Sequence, residues 1–311
     1  MSPFPPHPDL PVRADLNYST AFMQEFPASA ATKIVRLALE EDIGSGDLTC
    51  RLVLPVGHRS RARIVAKDHG ILSGQPLADL VFSELLRLDA KVGEVAVRPA
   101  KSDGDSLVPG DLVMEFEGPT RAILEGERTI LNLLQHLSGV ATMARRCQDA
   151  AGPTCRVLDT RKTTPGQRLL EKWAIRVGGG SNHRMGLWDA VLIKENHAQA
   201  AGGVRAAAQK AIQAKTPGTD LIVEVRDLAE LESVLDLPLT RVLLDNFAPD
   251  LVERALARRD QVKAGFGVEV SGGITLETLP AYARAGAEFA SVGALTHSTR
   301  PVDLSLLLEG L

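Results

Sequence analysis

The chain has 311 residues, and 35 lysines and arginines stand against 39 acids for a net charge of −4. That length holds about two domains, and the mild acidity argues against a nucleic-acid backbone or an anionic membrane as the main partner, which leaves a small molecule. Aromatic residues make up only 4% of the chain, so base-stacking platforms are not expected, and Cys50, Cys147 and Cys155 form no C-x-x-C pair. No apolar run is long enough to span a bilayer and the N-terminus lacks the order of a signal peptide, so a cytoplasmic protein is expected.

Taken in chain order, residues 1–27 read as a tail, because Pro3, Pro5, Pro6, Pro8 and Pro11 can neither continue a helix nor pair well in a sheet. From Ala28 the apolar positions Ile34, Leu37 and Ala38 recur at helical spacing until Gly44 and Gly46 stop them. Strand-like runs at 61–66, 91–97 and 112–116, with one helix over 76–88, then describe a small α/β domain spanning 28–126. At Glu127 the texture changes to a long helix that is apolar on most sides, a pattern that belongs between layers or subunits.

The second domain, 127–297, alternates short apolar runs with Ala-rich helical stretches. The runs are 157–160, 190–194, 221–225, 241–245, 267–271 and 289–293, and the helices are expected at 199–215, 228–235, 249–258 and 276–285. Strands buried on both faces and separated by helices indicate a parallel β/α barrel or a doubly wound sheet.

In such a fold the carboxyl ends of the strands share one rim, which carries the chemistry. Here that rim holds Arg161 and Lys162, then Lys194, Glu224, Asp245, Ser271-Gly272-Gly273 and Gly293. Arginine presents a planar fork that matches carboxylate or phosphate, and lysine a compact point charge, so the group asks for a ligand with two or three anionic centres. The loop Gly178-Gly179-Gly180-Ser181-Asn182-His183-Arg184 adds a second arginine with a histidine that can donate to a carboxylate. Alternatively these cations pair with nearby acids such as Glu171 and Asp189. Glu224 and Asp245 can hold Mg²⁺ through ligand phosphates, or stabilise positive charge on a sugar ring. The Ser271–Gly273 and Ser291–Ala294 turns are expected to open helices whose N–H groups cradle a phosphate.

The runs Leu158–Gly166, Leu169–Ala174, Gly178–Gly186 and Asp189–His197, with Glu41–Thr49, Glu127–Asn132, Val242–Asn246 and Glu269–Ile274, resemble the quinolinate phosphoribosyltransferase family. The resemblance implies an α/β fold: an incomplete parallel β/α barrel preceded by a small N-terminal α/β sandwich domain, with residues 298–311 packing back on the latter. It implies a reaction in which quinolinate and phosphoribosyl pyrophosphate give nicotinate mononucleotide, pyrophosphate and CO₂ with Mg²⁺, in NAD biosynthesis. It also implies a homodimer, with higher assembly left open, in which Arg128 reaches the neighbouring active site. Substrate-binding roles fall on Arg128, Thr160, Arg161, Lys162, His183, Arg184, Lys194, Glu224, Asp245, Ser271, Gly272, Gly273 and Gly293. Catalytic roles fall on Lys162, Glu224 and Asp245, and Mg²⁺ is met by Glu224 and Asp245 through the phosphates. Three rivals stand beside this: a Schiff-base aldolase using Lys194, a phosphoribosyltransferase that does not decarboxylate, and a phosphate-sugar binder without catalysis.

Overall fold

The computed structural model describes residues 25–310; of the expected tail, residues 1–24 lie outside the described residues. The first helix, α1 (Ala28–Ile43), buries Ala31, Val35 and Leu39 at four-residue spacing, and Gly44 ends it with φ +52°. A short helix the sequence reading passed over, α2 (Leu48–Val53), follows. Asp47 caps it by accepting from the Cys50 N–H at 2.9 Å. Next come β1 (Arg59–Ala66), β2 (Gly70–Ile71), α3 (Leu77–Leu88), β3 (Ala96–Pro99), β4 (Ser106–Leu107) and β5 (Leu112–Pro119). Strand β1 alternates Arg59, Arg61 and Arg63 outward with Ser60, Ala62 and Ile64 inward, so one face of this sheet meets the core.

Pro119 ends β5, and the long helix α4 (Thr120–Ala151) starts there, earlier than the expected Glu127; residue 127 lies inside one continuous helix. α4 is apolar on most sides because it packs on α1 and α3 on one flank and, on the other, on barrel helices such as α5 (Arg168–Val177).

The second half then runs β6 (Arg156–Leu158), α5, β7 (Val191–Ile193), α6 (Glu195–Ala201), α7 (Val204–Ala214), β8 (Leu221–Val225), α8 (Leu228–Glu232), β9 (Arg241–Asp245), α9 (Pro249–Gln261), β10 (Gly267–Ser271), α10 (Leu279–Arg284), β11 (Phe289–Ser291), α11 (Ala294–His297) and β12 (Leu304–Gly310). Strands β6 to β11 form one parallel sheet in the order β6-β11-β10-β9-β8-β7. The barrel is therefore open between β6 and β7, where Ser181 makes a lone bridge to Leu158. The expected single helix over 199–215 is two, broken at Gly202 and Gly203 with φ +93° and +117°.

Along these strands one set of side chains, Val223, Val242, Leu244, Val268 and Val270, joins the main core under the helices. The alternate set points into the barrel, where Leu192, Ile222 and Leu243 form a small cluster of their own. Register places Glu224, Leu243, Glu269 and Phe289 on one level and Asp245 with Ser271 on the next, toward the carboxyl ends. The barrel interior is thus part apolar and part charged.

The C-terminal strand β12 leaves the barrel and pairs antiparallel with β1, giving the sheet order β12-β1-β5-β3. On its way it crosses α4 at Gly139, where an added Cβ would stand 2.4 Å from the Arg300 carbonyl oxygen. Gln135 pins the crossing, accepting from the Val302 N–H at 3.0 Å and donating to the Leu304 carbonyl at 2.8 Å. Gly139→Ala should destabilise the protein by about 1–3 kcal/mol, the range for overpacking. Urea unfolding measures it, and an unchanged midpoint would show that the crossing yields without cost.

Candidate active site

A cleft of about 700 Å³ opens at the carboxyl ends of the barrel strands. It is lined by Thr160, Arg161, Lys162, His183, Arg184, Lys194, Asp245, Ser271, Gly272, Gly273 and Gly293, so most of the rim predicted from sequence converges on one space. Two of the expected residues are elsewhere. Arg128 lies on α4, 60% exposed, beside Glu127 at 3.9 Å. Glu224 shares the level of Leu243 and Glu269 inside the barrel but does not line the cleft; it meets Lys194 Nζ at 3.3 Å and accepts from the Glu195 N–H at 3.3 Å.

Arg161, Lys162 and Arg184 have no carboxylate within ion-pair distance among the described residues. The acids that the sequence offered as partners are used on backbone and histidine instead. Glu171 accepts from the Thr164 N–H at 3.1 Å and meets His136 at 2.9 Å, and Asp189 accepts from the Met185 and Gly186 N–H groups at 2.6 and 2.9 Å. Burial and the nearby Arg161 charge hold the Arg184 guanidinium below its ordinary value, with Asp189 acting against them. Like charges brought together, with the nearest acid, Asp189, hydrogen-bonded to backbone rather than paired with either guanidinium, make a site ready for an anion.

The floor of the cleft is a buried polar layer, to which Asp159, Glu269 and Ser291 belong, that the sequence motifs alone did not assign. Asp159, fully buried just after β6, accepts from Lys172 Nζ, from Asn182 at 2.6 Å and from the His183 N–H at 2.9 Å. Lys172 also donates to the His183 carbonyl at 2.8 Å, and burial pushes its ammonium below the usual lysine range. On the far side Glu269 accepts from Arg241 at 2.7 Å and from Ser291 at 2.5 Å, with Arg241 lying over the Phe289 ring at 4.4 Å. The signal for these residues was available, since Asp159 and Glu269 are acids set inside runs apolar enough to be buried strands.

His183 sits between the two groups. Its Nδ1 accepts from the Arg184 N–H at 2.7 Å, which places the ring proton on Nε2. Nε2 stands 3.5 Å from Glu269, beyond hydrogen-bond length, and is buried without a partner at the edge of the cleft. A donor in that condition fits a ligand acceptor.

Opposite the arginines, Gly272 and Gly273 adopt φ +90° and +61°, and a Cβ on Gly272 would collide with Asn246 Oδ1 at 2.2 Å, so only glycine fits. The turn does not open a helix as expected: α10 begins only at Leu279, whereas Gly293 does directly precede α11. Because β6 and β11 are neighbours, Lys162 lies beside Gly293, its Cδ 3.3 Å from where a Gly293 Cβ would stand, and its carbonyl accepts from Thr296 at 2.7 Å. Asn246, Thr275 and His297 also line this side and were not singled out from sequence. The backbone of Asn246, at φ +56°, is the left-handed conformation that an Asn after a strand tolerates.

Burial alone would raise the Glu269 carboxyl, but Arg241, His183 and Ser291 outweigh it and hold the group at about 2, against an ordinary 4.5. A depressed folded-state value stabilises the protein fully above about pH 4.5 and loses that contribution as pH falls toward 2. Glu269→Gln should cost about 3–5 kcal/mol at pH 7, as for one partner removed from a buried pair. Its deficit should shrink between pH 4.5 and 2 in urea unfolding, and a deficit that does not vary with pH would contradict the assignment.

Comparison with known proteins agrees with this geometry. Residues 47–138 match the family description "Quinolinate phosphoribosyl transferase, N-terminal domain", and residues 140–307 match its C-terminal domain. Quinolinate phosphoribosyltransferase (decarboxylating) 1 of Nicotiana glauca is 38% identical over 295 residues, covering 89% of this chain and 81% of that protein. Nicotinate-nucleotide pyrophosphorylase (carboxylating), chloroplastic, of Arabidopsis thaliana is 38% identical over 292 residues, covering 89% and 82%. The solved nicotinate-nucleotide pyrophosphorylase of Francisella tularensis superposes with a TM-score of 0.84 at 36% identity, over 92% of this chain and 99% of that one. The chain belongs to the quinolinate phosphoribosyltransferase family.

Proposed function

We infer that this chain joins quinolinate to phosphoribosyl pyrophosphate, releasing pyrophosphate and CO₂ and leaving nicotinate mononucleotide for NAD synthesis. The observation that carries this reading is the pair of guanidinium groups, Arg161 and Arg184, that share one cleft with the glycine turns and have no carboxylate at ion-pair distance among the described residues. A pyridine with two adjacent carboxylates supplies the missing anions on one side, and the 5′-phosphate and pyrophosphate of the second substrate supply them on the other. A Schiff-base role for Lys194 is disfavoured because its ammonium is paired with Glu224.

The chemistry follows from what each group faces. Lys162, between Arg161 and Gly293, neutralises charge on the departing pyrophosphate. Asp245, on the cleft wall and hydrogen-bonded by Asn246 at 2.8 Å, stands where positive charge develops on the ribose, and Glu224 acts from below through Lys194. Arg161, Arg184 and the His183 Nε2 proton hold quinolinate so that its ring nitrogen attacks the sugar carbon as the C–O bond to pyrophosphate breaks. The 2-carboxylate then leaves as CO₂, its bonding electrons held beside the quaternised nitrogen until that carbon takes a proton.

Among the described residues no group of three His, Cys, Asp or Glu could cage a metal. The donor set suits Mg²⁺ carried in on the phosphates rather than a resident ion: Asp245 on the cleft wall would hold it, and Glu224 would join only where Lys194 releases it. Bound there, Mg²⁺ supplies charge neutralisation on the leaving group. No helix of the described residues is long and apolar enough to cross a membrane, and three free, buried cysteines suit the reducing cytoplasm.

Arg128 is exposed and outside its own chain's cleft, and α2 leaves Leu48, Leu52 and Val53 uncovered. Both features fit a homodimer in which Arg128 completes the neighbour's site. The defining assay mixes protein, Mg²⁺, phosphoribosyl pyrophosphate and quinolinate and follows mononucleotide and CO₂. Arg161→Ala should lose about tenfold to a hundredfold or more in kcat/KM while remaining folded, and near-normal turnover would remove Arg161 from the site. Mixing Arg128→Ala and Arg161→Ala subunits, each crippled alone, should restore about a quarter of wild-type activity by statistical pairing of a two-fold dimer. No restoration would place Arg128 in its own subunit's site or outside the chemistry.

A further inference from the structure

We propose that Arg168, which touches neither substrate, fixes the separation of the two guanidinium-bearing loops and thereby makes the site selective for a dicarboxylate. This deepens the functional reading above and rests on quinolinate being the substrate. Arg168 is the first residue of α5 and does not line the cleft. Its guanidinium lies between the loops and bonds both: Nε donates to Thr163 Oγ1 at 3.0 Å, Nη2 to the Arg161 carbonyl at a longer 3.4 Å, and Nη1 to the Met185 carbonyl at 3.1 Å. Two contacts are to the loop that carries Arg161 and Lys162, and the third is to the residue following His183-Arg184.

All three acceptors are neutral, and among the described residues Arg168 meets no acid at ion-pair distance. Its charge therefore neutralises nothing, and what the side chain contributes is geometry. A planar fork with several N–H groups in fixed directions ties two strands of backbone at one spacing, which a lysine ammonium on a flexible stem cannot do. The tie is needed because the Arg161 and Arg184 charges repel each other, and the acids nearby, Glu171 and Asp189, are committed to backbone N–H groups.

Three side chains at i, i+3 and i+4 on α5 act on the same two loops. Glu171 holds Thr164, Lys172 holds Asp159 and the His183 carbonyl, and Arg168 spans from one loop to the other. Glu171 and Lys172 are fully buried and their loss would damage the fold. Arg168 is only half-buried, so its part can be separated from stability. A ligand with carboxylates on adjacent ring carbons must meet both arginines at a fixed distance, whereas phosphoribosyl pyrophosphate rests mainly on the glycine turns and meets the tied loop only through the flexible Lys162 stem, so it depends less on that distance.

The test is steady-state kinetics on the full-length enzyme with Arg168→Lys and Arg168→Met, and with Thr163→Val as a milder variant that removes one of the three contacts. For both Arg168 variants the quinolinate KM should rise roughly tenfold to a hundredfold, the equivalent of one charge-assisted hydrogen bond. The phosphoribosyl pyrophosphate KM and the thermal midpoint should stay near wild type, and Thr163→Val should raise the quinolinate KM less. A quinolinate KM unchanged in Arg168→Lys overturns the proposal, and so does a parallel rise in both KM values. If the Arg168 variants unfold, Thr163→Val decides: a selective rise in quinolinate KM supports the proposal and an unchanged value overturns it. Wild-type turnover in the same series separates the two readings, since its absence overturns the functional assignment itself.

Discussion

The site depends on keeping two positively charged loops side by side when no anion is between them. Unit charges of like sign a few ångströms apart repel by about a kilocalorie per mole in water and by several times that in a partly dry cleft, so the loops need restraint from below. Asp159 supplies the centre of that restraint. One buried carboxylate gathers Lys172, Asn182 and the His183 backbone, joining the end of β6, the face of α5 and the loop that fills the barrel's open seam. Burial pushes the Asp159 carboxyl above its ordinary value, and the hydrogen bonds from Lys172, Asn182 and the His183 N–H oppose that cost without cancelling it.

The rest of the fold holds that centre in place. α5 is packed against α4, and its Trp173 donates to Asp103 of the small domain at 2.9 Å while meeting the edge of the Phe26 ring. The spacing of the loops is therefore tied to the seating of the N-terminal domain. On the other side, the Arg241–Glu269 pair fills part of the barrel interior that an apolar layer would otherwise occupy and brings Glu269 within 3.5 Å of His183. The Arg184 N–H on Nδ1 and the backbone bonds to Asp159 and Lys172 fix the orientation of this histidine before a ligand arrives, which is the preorganisation a site built on anion recognition requires.

Much of this was legible in the sequence. All six barrel strands show as short apolar runs because parallel strands are buried on both faces, and the polar residues just past them mark the rim. The family motifs supplied the substrate and the reaction. What could not be read was the hidden layer. Asp159 and Lys172 are thirteen residues apart and meet only because α5 folds back over β6, and Glu269 meets Arg241 across neighbouring strands. Glu224 stands one level below Asp245 and is covered by its ion pair with the cleft-lining Lys194, a pairing its strand-end position alone does not reveal. The helix break at Gly202-Gly203 was hidden by the uniform alanine content around it, and the Ser271–Gly273 turn was given a helix that starts farther along the chain.

Recognition of two carboxylates on one ring by the two arginines is what the proposed function rests on. Calorimetric titration of the protein with quinolinate and with nicotinate, which lacks the 2-carboxylate, addresses it without turnover or a second substrate. Quinolinate should bind at least about tenfold more tightly, the equivalent of one charged hydrogen bond, and the gap should narrow as salt screens the cleft. Equal affinities for the two ligands would contradict it.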